Sequence, residues 1–295
     1  VNAPDVNGDP MDDKFAERVA FGNLPGQVCG ITGQPLTDPV VLHRDLSDWW
    51  PDEIKDFRDE RLINLSIVNR DVRTNYYEKI KNLDCVVSFS GGLDSTTVLY
   101  WAHKLFGRVR ALIFDYGQKH RIEIDCAVKI AMNLGINYNI VDMKPMSTLI
   151  NSSLVDGGGP IPTGRDLGQM GADIPTTFVP GRNIYFATAI AQKAYSLGYR
   201  HIAMGMNVLD YSGYFDCRPQ FVCAMKRVIE LGMFNTSIGF HVPLMFHRKA
   251  EIIRLGNVLG VDYDMTHSCY NGVEGGCHEC DSCILRENAF KELDI

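Results

Sequence analysis

The stretch VVSFSGGLDSTTVLYW holds the strongest chemical signal in this 295-residue chain. An apolar run ends at Phe89, Ser90-Gly91-Gly92-Leu93-Asp94-Ser95 turns, and an amphipathic segment follows. That order predicts a strand–loop–helix junction. The first N–H groups of a helix have no intrahelical partner, and the helix dipole adds partial positive charge there, so the junction suits an anion. Two glycines let phosphate oxygens approach the backbone closely. Ser90, Ser95 and Thr96 add hydroxyl donors. Asp94 would repel a bare phosphate and is expected to cap the helix or to help hold Mg²⁺. The Gly-Lys-Ser/Thr ending of a Walker A loop is absent.

A second constellation is Cys269, Cys277, Cys280 and Cys283, spaced C-x7-C-x2-C-x2-C. Four thiolates at such spacing suit a tetrahedral Zn²⁺ in a closed, structural site, with an Fe–S cluster as the alternative. His278 lies inside the cluster and is expected to point to solvent. Cys29, Cys85, Cys126 and Cys223 read as bystanders. Nine cysteines do not suit a disulfide framework, and the chain starts without a basic-then-apolar signal, so the thiols read as reduced and the compartment as cytoplasmic.

The elements that must position these residues follow from periodicity. Strand-like Cys85–Phe89, Val109–Phe114, Tyr138–Val141 and His201–Met206 alternate with helix-like Asp94–Phe106, Arg121–Leu134 and a helix from Pro180-Gly181 to Leu197. Two more helices fit Arg218–Leu231 and Arg248–Leu259. The βαβα alternation predicts a parallel sheet with helices on both faces. Residues 143–178, rich in Gly and Pro, interrupt it as a long loop of the kind that carries function.

Composition sets the remaining bounds. Hydrophobic residues make up 45% and charged residues 22%, as in a folded globular chain. No apolar run approaches the roughly 20 residues of a membrane span. Net charge is −7, so no nucleic-acid partner is expected. Residues 1–83 hold 15 acidic and 10 basic residues against 21 and 19 in the rest. Hence 1–83 reads as an acidic accessory extension, with Trp49, Trp50, Tyr76 and Tyr77 as packing surface. Its first 10–15 residues are expected to be flexible or vector-derived, with Met11 a candidate start, and residues 16–83 are a candidate surface for a protein partner. Residues 84–295 are expected to form the main domain.

SGGLDS resembles the pyrophosphate-binding loop of the PP-loop ATPases, which implies cleavage of ATP to AMP and pyrophosphate and adenylation of a substrate oxygen. From about Asp84 to Phe290 the chain resembles the 7-cyano-7-deazaguanine synthases. The matching stretches are SFSGGLDSTT, FDYGQKHRIEI, PTTFVPGRN, DYSGYFDCRP, KAEIIRLG and SCYNGVEGGCHECDSC, in that order. The resemblance implies a Rossmann-like adenine nucleotide α-hydrolase fold, a structural zinc, Mg²⁺ with ATP, and a homodimer. It also implies an ATP-dependent carbon–nitrogen ligase that adenylates 7-carboxy-7-deazaguanine and couples it to ammonia, giving the amide and then the nitrile. An alternative is a family relative of anti-phage defence that couples the activated carboxylate to a protein amine.

On that resemblance Ser90, Gly91, Gly92, Leu93, Asp94, Ser95 and Thr96 cradle the ATP pyrophosphate. Asp94, Ser95, Arg182 and Lys249 are the catalytic candidates, Lys249 by neutralising phosphate charge. Tyr116, Gln118, His120, Arg182, Asn183, Asp210, Tyr211, Asp216 and Arg218 are the substrate-binding candidates. Cys217 reads as a packing residue. Two departures stand out: the family commonly shows Trp where this chain has His267, and it commonly begins a few residues before the phosphate loop.

Overall fold

The computed structural model describes residues 82–294 apart from 120, 156, 167–168, 171–173, 208–213, 236–237 and 246. The readings made for the extension, except at Asn82 and Leu83, lie outside the described residues.

β1 (Asp84–Phe89) leads through the glycine loop into α1 (Leu93–Leu105). β2 (Arg108–Asp115), α2 (Ile122–Asn133) and β3 (Asn137–Asp142) follow. After a 3-10 turn at Lys144–Leu149 and a long irregular stretch come α3 (Arg182–Leu197) and β4 (His201–Ala203). α4 (Pro219–Ile229) runs into a π-helical turn at Glu230–Phe234, and β5 (Gly239–His241) precedes α5 (Lys249–Leu259). α6 (Asp281–Glu292) closes the described chain. Among the described residues no helix is long and apolar enough to cross a membrane.

The five strands pair in parallel in the order β3-β2-β1-β4-β5. Alternate residues of a strand face opposite sides, so a sheet covered twice needs apolar residues at successive positions. β1 meets that demand. Cys85, Val87 and Phe89 pack with α1, α2 and α5 on one face. Val86 joins Leu112, Phe114 and Ile202 against α3 and α4 on the other. The sheet is therefore Rossmann-like, as expected.

The order reverses direction at β1, which pairs with β2 on one side and β4 on the other. In such sheets the crevice at the carboxyl ends of those strands receives ligands. Here it receives the phosphate loop. α1, α2, α3 and α5 are all entered from loops at that edge, so four helix N-termini, with their partial positive charge, converge there.

Several boundaries differ from the sequence expectation. The fourth strand stops at Ala203, and Met204, Gly205 and Met206 beyond it line the crevice. β5 is three residues long and gives no periodic signal. α6 carries polar residues almost all round and is held by the cysteine loop at its start, so its sequence lacks an apolar stripe.

Candidate active site

Strand β1 hands the chain to Ser90, and Gly91 then takes φ +84°, the left-handed region. A Cβ at Gly91 would lie 2.6 Å from the Glu123 carbonyl oxygen and 2.7 Å from the Ala127 nitrogen, both backbone atoms of α2. Conformation and space together therefore require glycine. Gly91→Ala is expected to lower the midpoint of thermal unfolding by roughly 4–10 °C, from about 1–3 kcal/mol of backbone strain. Differential scanning fluorimetry reads it, and an unchanged midpoint would mean that the loop can relax away from α2.

The loop is tied internally. The Ser90 and Ser95 hydroxyls are 2.9 Å apart, the Ser90 N–H donates to Ser95 Oγ at 3.2 Å, and Ser95 Oγ donates to the Gly92 carbonyl at 3.2 Å. The His267 N–H donates to the Gly91 carbonyl at 3.1 Å, which fastens the loop to the C-terminal segment. A Cβ at Gly205 would lie 3.2 Å from the Ser95 nitrogen, so the end of β4 passes close beside the start of α1.

Two expectations for this loop are corrected. Gly92, not Asp94, occupies the N-cap of α1, and no side chain caps it. Asp94 instead accepts from Lys249 Nζ through both oxygens, at 3.0 and 2.8 Å. Lys249 is the first residue of α5, and α5 packs on α1, so two helix starts bring the pair together. Thr96 points into the core, fully buried, and does not line the crevice.

The crevice holds a cavity of about 270 Å³. The phosphate loop forms one wall, with Asp94, Lys249 and Glu123. Tyr116, Arg182, Asn183, Tyr214 and Tyr270 line the cavity as well. His267, Ser268 and Arg286 close the side nearest the cysteines.

Arg182 is the electrostatic centre of this polar group. Burial alone would lower its pKa, but Tyr116, Tyr214, Asp216 and Tyr270 outweigh burial and hold the guanidinium charged. Burial pushes the Tyr116 phenol up to about 12 against the pull of Arg182, so it stays protonated. Tyr214 and burial together hold the Tyr270 phenol well above its ordinary value. Asp216 is also pushed up by burial, with Arg182 opposing. It accepts the Asn183 backbone N–H at 3.3 Å, and its carbonyl takes Asn183 Nδ2 at 3.0 Å. The Asn183 amide also reaches Cys217 Sγ at 3.5 Å, placing Cys217 on the cavity lining, half-buried beside the apolar core.

Gln118 folds back on its own strand end. Its Oε1 accepts the Tyr116 N–H at 2.9 Å and its Nε2 donates to the Phe114 carbonyl at 3.0 Å, which shapes the turn after β2. Arg218 lies over the Phe215 ring at 4.9 Å and does not line the cavity. His120, Asp210 and Tyr211 lie outside the described residues. The cavity thus gathers Ser90, Gly92, Leu93, Asp94, Ser95, Tyr116, Gln118, Arg182, Asn183 and Lys249 from the expected set.

Sequence reasoning passed over Glu123, Tyr214, Tyr270, His267 as a cavity residue, and Arg286. Arg286 donates to the Tyr263 carbonyl and to Thr266 Oγ1, each at 2.7 Å, and so braces the turn below the cavity. Tyr270 follows the first cluster cysteine, a neighbourhood that could have marked it.

The four expected cysteines do come together, their sulfurs all within 4.8 Å of one another. The Cys280 N–H and Asn271 Nδ2 both donate to Cys277 Sγ, at 3.3 and 3.4 Å. Such donors favour thiolate, the form that binds metal. Burial would raise the Cys277 thiol, but these donors and the Glu279 N–H outweigh it and hold the thiol down at about 6. Four convergent sulfurs with this support fit a metal ion. His278 instead pairs with Glu287 at 2.7 Å on the surface, as expected. The loop before α3 clasps the cluster: the Gly164 N–H donates to the Glu279 carbonyl at 2.8 Å, and Arg165 pairs with Asp281.

A family model described as queuosine biosynthesis protein QueC matches residues 84–294. The 7-cyano-7-deazaguanine synthase of Solidesulfovibrio magneticus is 41% identical over 217 residues, which is 71% of this chain and 92% of the relative. That of Thermoplasma acidophilum is 44% identical over 213 residues, covering 70% and 87%. That of Trichodesmium erythraeum is 41% identical over 217 residues, covering 72% and 98%.

Proposed function

The chain belongs to the 7-cyano-7-deazaguanine synthase (QueC) family, and from that premise we propose that it is an ATP-dependent carbon–nitrogen ligase acting on 7-carboxy-7-deazaguanine. The observation that carries the reading is one cavity lined by two unlike sets of groups. The glycine loop and four helix N-termini suit a polyphosphate, and the polar group around Arg182 suits a carboxylate on a polar ring.

The carboxylate is a poor electrophile because oxide would have to leave. Attack of a carboxylate oxygen on the α-phosphorus of ATP forms an acyl adenylate and expels pyrophosphate. Arg182 orients the carboxylate, and Lys249, released from Asp94 by the incoming phosphates, stabilises the charge that builds on them. Ser90 and Ser95 exchange their mutual hydrogen bond for bonds to the leaving pyrophosphate. Mg²⁺ accompanies ATP, with Asp94 the residue placed to hold it, and supplies charge neutralisation on the phosphates. Attack of ammonia on the acyl carbon then forms the C–N bond and breaks the bond to AMP, leaving the amide. A second adenylation, on the amide oxygen, makes that oxygen a leaving group. Loss of the two N–H protons and of AMP gives the nitrile.

Zinc is the metal we assign to Cys269, Cys277, Cys280 and Cys283, as a structural ion. All four donors are sulfur, so no position is left for substrate.

The test is a product assay on the whole chain with ATP, Mg²⁺, 7-carboxy-7-deazaguanine and ammonium, read by mass spectrometry beside AMP release. The expected product is the nitrile, with two AMP per turnover. AMP formation that stalls at the acyl adenylate or the amide would favour coupling to a protein amine, the role for which residues 16–83 are the candidate partner surface. No substrate-dependent AMP would remove the substrate assignment.

A further inference from the structure

Glu123 has no part in the chemistry above, yet it lines the cavity directly beneath the phosphate loop. It sits in the first turn of α2, whose backbone supports Gly91. Two carboxylates line the cavity among the described residues, and they differ. Asp94 is held by Lys249 through both oxygens. A Cβ at Gly92 would lie 3.4 Å from Ser90 Oγ and 3.8 Å from Glu123 Oε1, so this carboxylate sits beside the loop, where it also feels Arg182. Tyr116, just after β2, and Cys126 on α2 also feel its charge.

We propose that Glu123 binds ammonium beside the acyl adenylate and removes its proton. The inference rests on the adenylation reading. At neutral pH the nitrogen source is almost all ammonium, which has no lone pair and cannot attack carbon. Glu123 carboxylate takes one N–H proton and the electron pair of that bond stays on nitrogen. The nitrogen then forms the C–N bond as the C–O bond to AMP breaks with its electrons. As the tetrahedral adduct collapses, its second N–H proton passes to the departing AMP phosphate, and the Glu123 acid returns its own to solvent between turnovers.

The surroundings favour Glu123 over its neighbours as this base. Burial raises its carboxyl to about 7, with Ser90 and Arg182 opposing, so it exchanges a proton near neutral pH. The cavity tyrosines are raised too, which carries them further from neutral pH and keeps them protonated. His267 Nε2 is engaged at 3.1 Å by the Cys269 carbonyl.

The experiment compares the full chain with its Glu123→Gln variant, using ammonium and hydroxylamine as alternative nucleophiles. Hydroxylamine is largely unprotonated at neutral pH and needs no base to attack. The variant is expected to lose about a hundredfold or more in amide formation from ammonium at pH 7. It should recover as pH rises and free ammonia accumulates, and it should still form hydroxamate at a rate near that of the parent. Amide formation equal to the parent's at pH 7 would overturn the proposal. Equal loss of amide and hydroxamate would also overturn it, because Glu123 would then serve adenylation or folding. In both of those results the parent still makes hydroxamate. A parent that makes none, and releases no substrate-dependent AMP, would bring down the adenylation reading and this inference with it.

Discussion

Replacing Asp94 by Ala is expected to abolish substrate-dependent pyrophosphate release, by about a thousandfold or more, while the chain stays folded. The geometry accounts for both halves of that result. Asp94 and Lys249 meet at the starts of two packed helices, and each side chain keeps part of its surface in contact with the cavity. Solvent can therefore relieve the lysine left behind, so the fold loses little. The chemistry loses more. In the proposed reaction the carboxylate would hold the ion that accompanies the phosphates and keep Lys249 poised beside them, and the variant loses both. Stopped assays for pyrophosphate, with circular dichroism as the fold control, check the prediction. Near-parental turnover would take Asp94 out of the machinery and leave the pair as a clamp between α1 and α5.

The second large effect is expected from Cys280→Ser. Cys280 is fully buried and is the N-cap of α6, and its sulfur lies among the other three. Serine oxygen is a far weaker ligand for a thiophilic ion. Structural zinc contributes on the order of 10 kcal/mol of apparent binding free energy, which acts as folding free energy. The variant should copurify without metal, as read by elemental analysis, and unfold at least about 10 °C below the parent. A stable variant that kept one metal ion per chain would sink the structural assignment. Activity should fall as well, although no cysteine touches substrate in the proposed reaction. Tyr270 lies between the first two cysteines, and Ser282, Leu285 and Arg286 of α6 line the cavity.

The part of this architecture that could be read from the sequence is the part that repeats. β1, α1, β2 and α2 each combine a clear period with a glycine or polar break, and the structure places them within one or two residues of expectation. β5 and α6 had no period to read, because one is too short and the other is held by its cysteine cap rather than by an apolar face. The phosphate loop and the cysteine cluster were legible because local spacing brings their residues together. Glu123 was not. A glutamate in a helix's first turn ordinarily reads as a partner for the dipole. Only the approach of Gly91 to α2 shows that this one enters a cavity. Lys249 and Asp94 are 155 positions apart, and no local pattern announces a contact at that distance.

The hydrogen bond from His267 to the Gly91 carbonyl bears on how the chain becomes active as it is made. Synthesis runs from the N-terminus, so the glycine loop emerges long before Lys249, His267 and Arg286. A ribosome-bound chain that ends before α5 holds the nucleotide loop without the lysine beside it or the backbone strap that secures it. The strap and the lysine that complete the glycine loop are thus made well after the loop they secure.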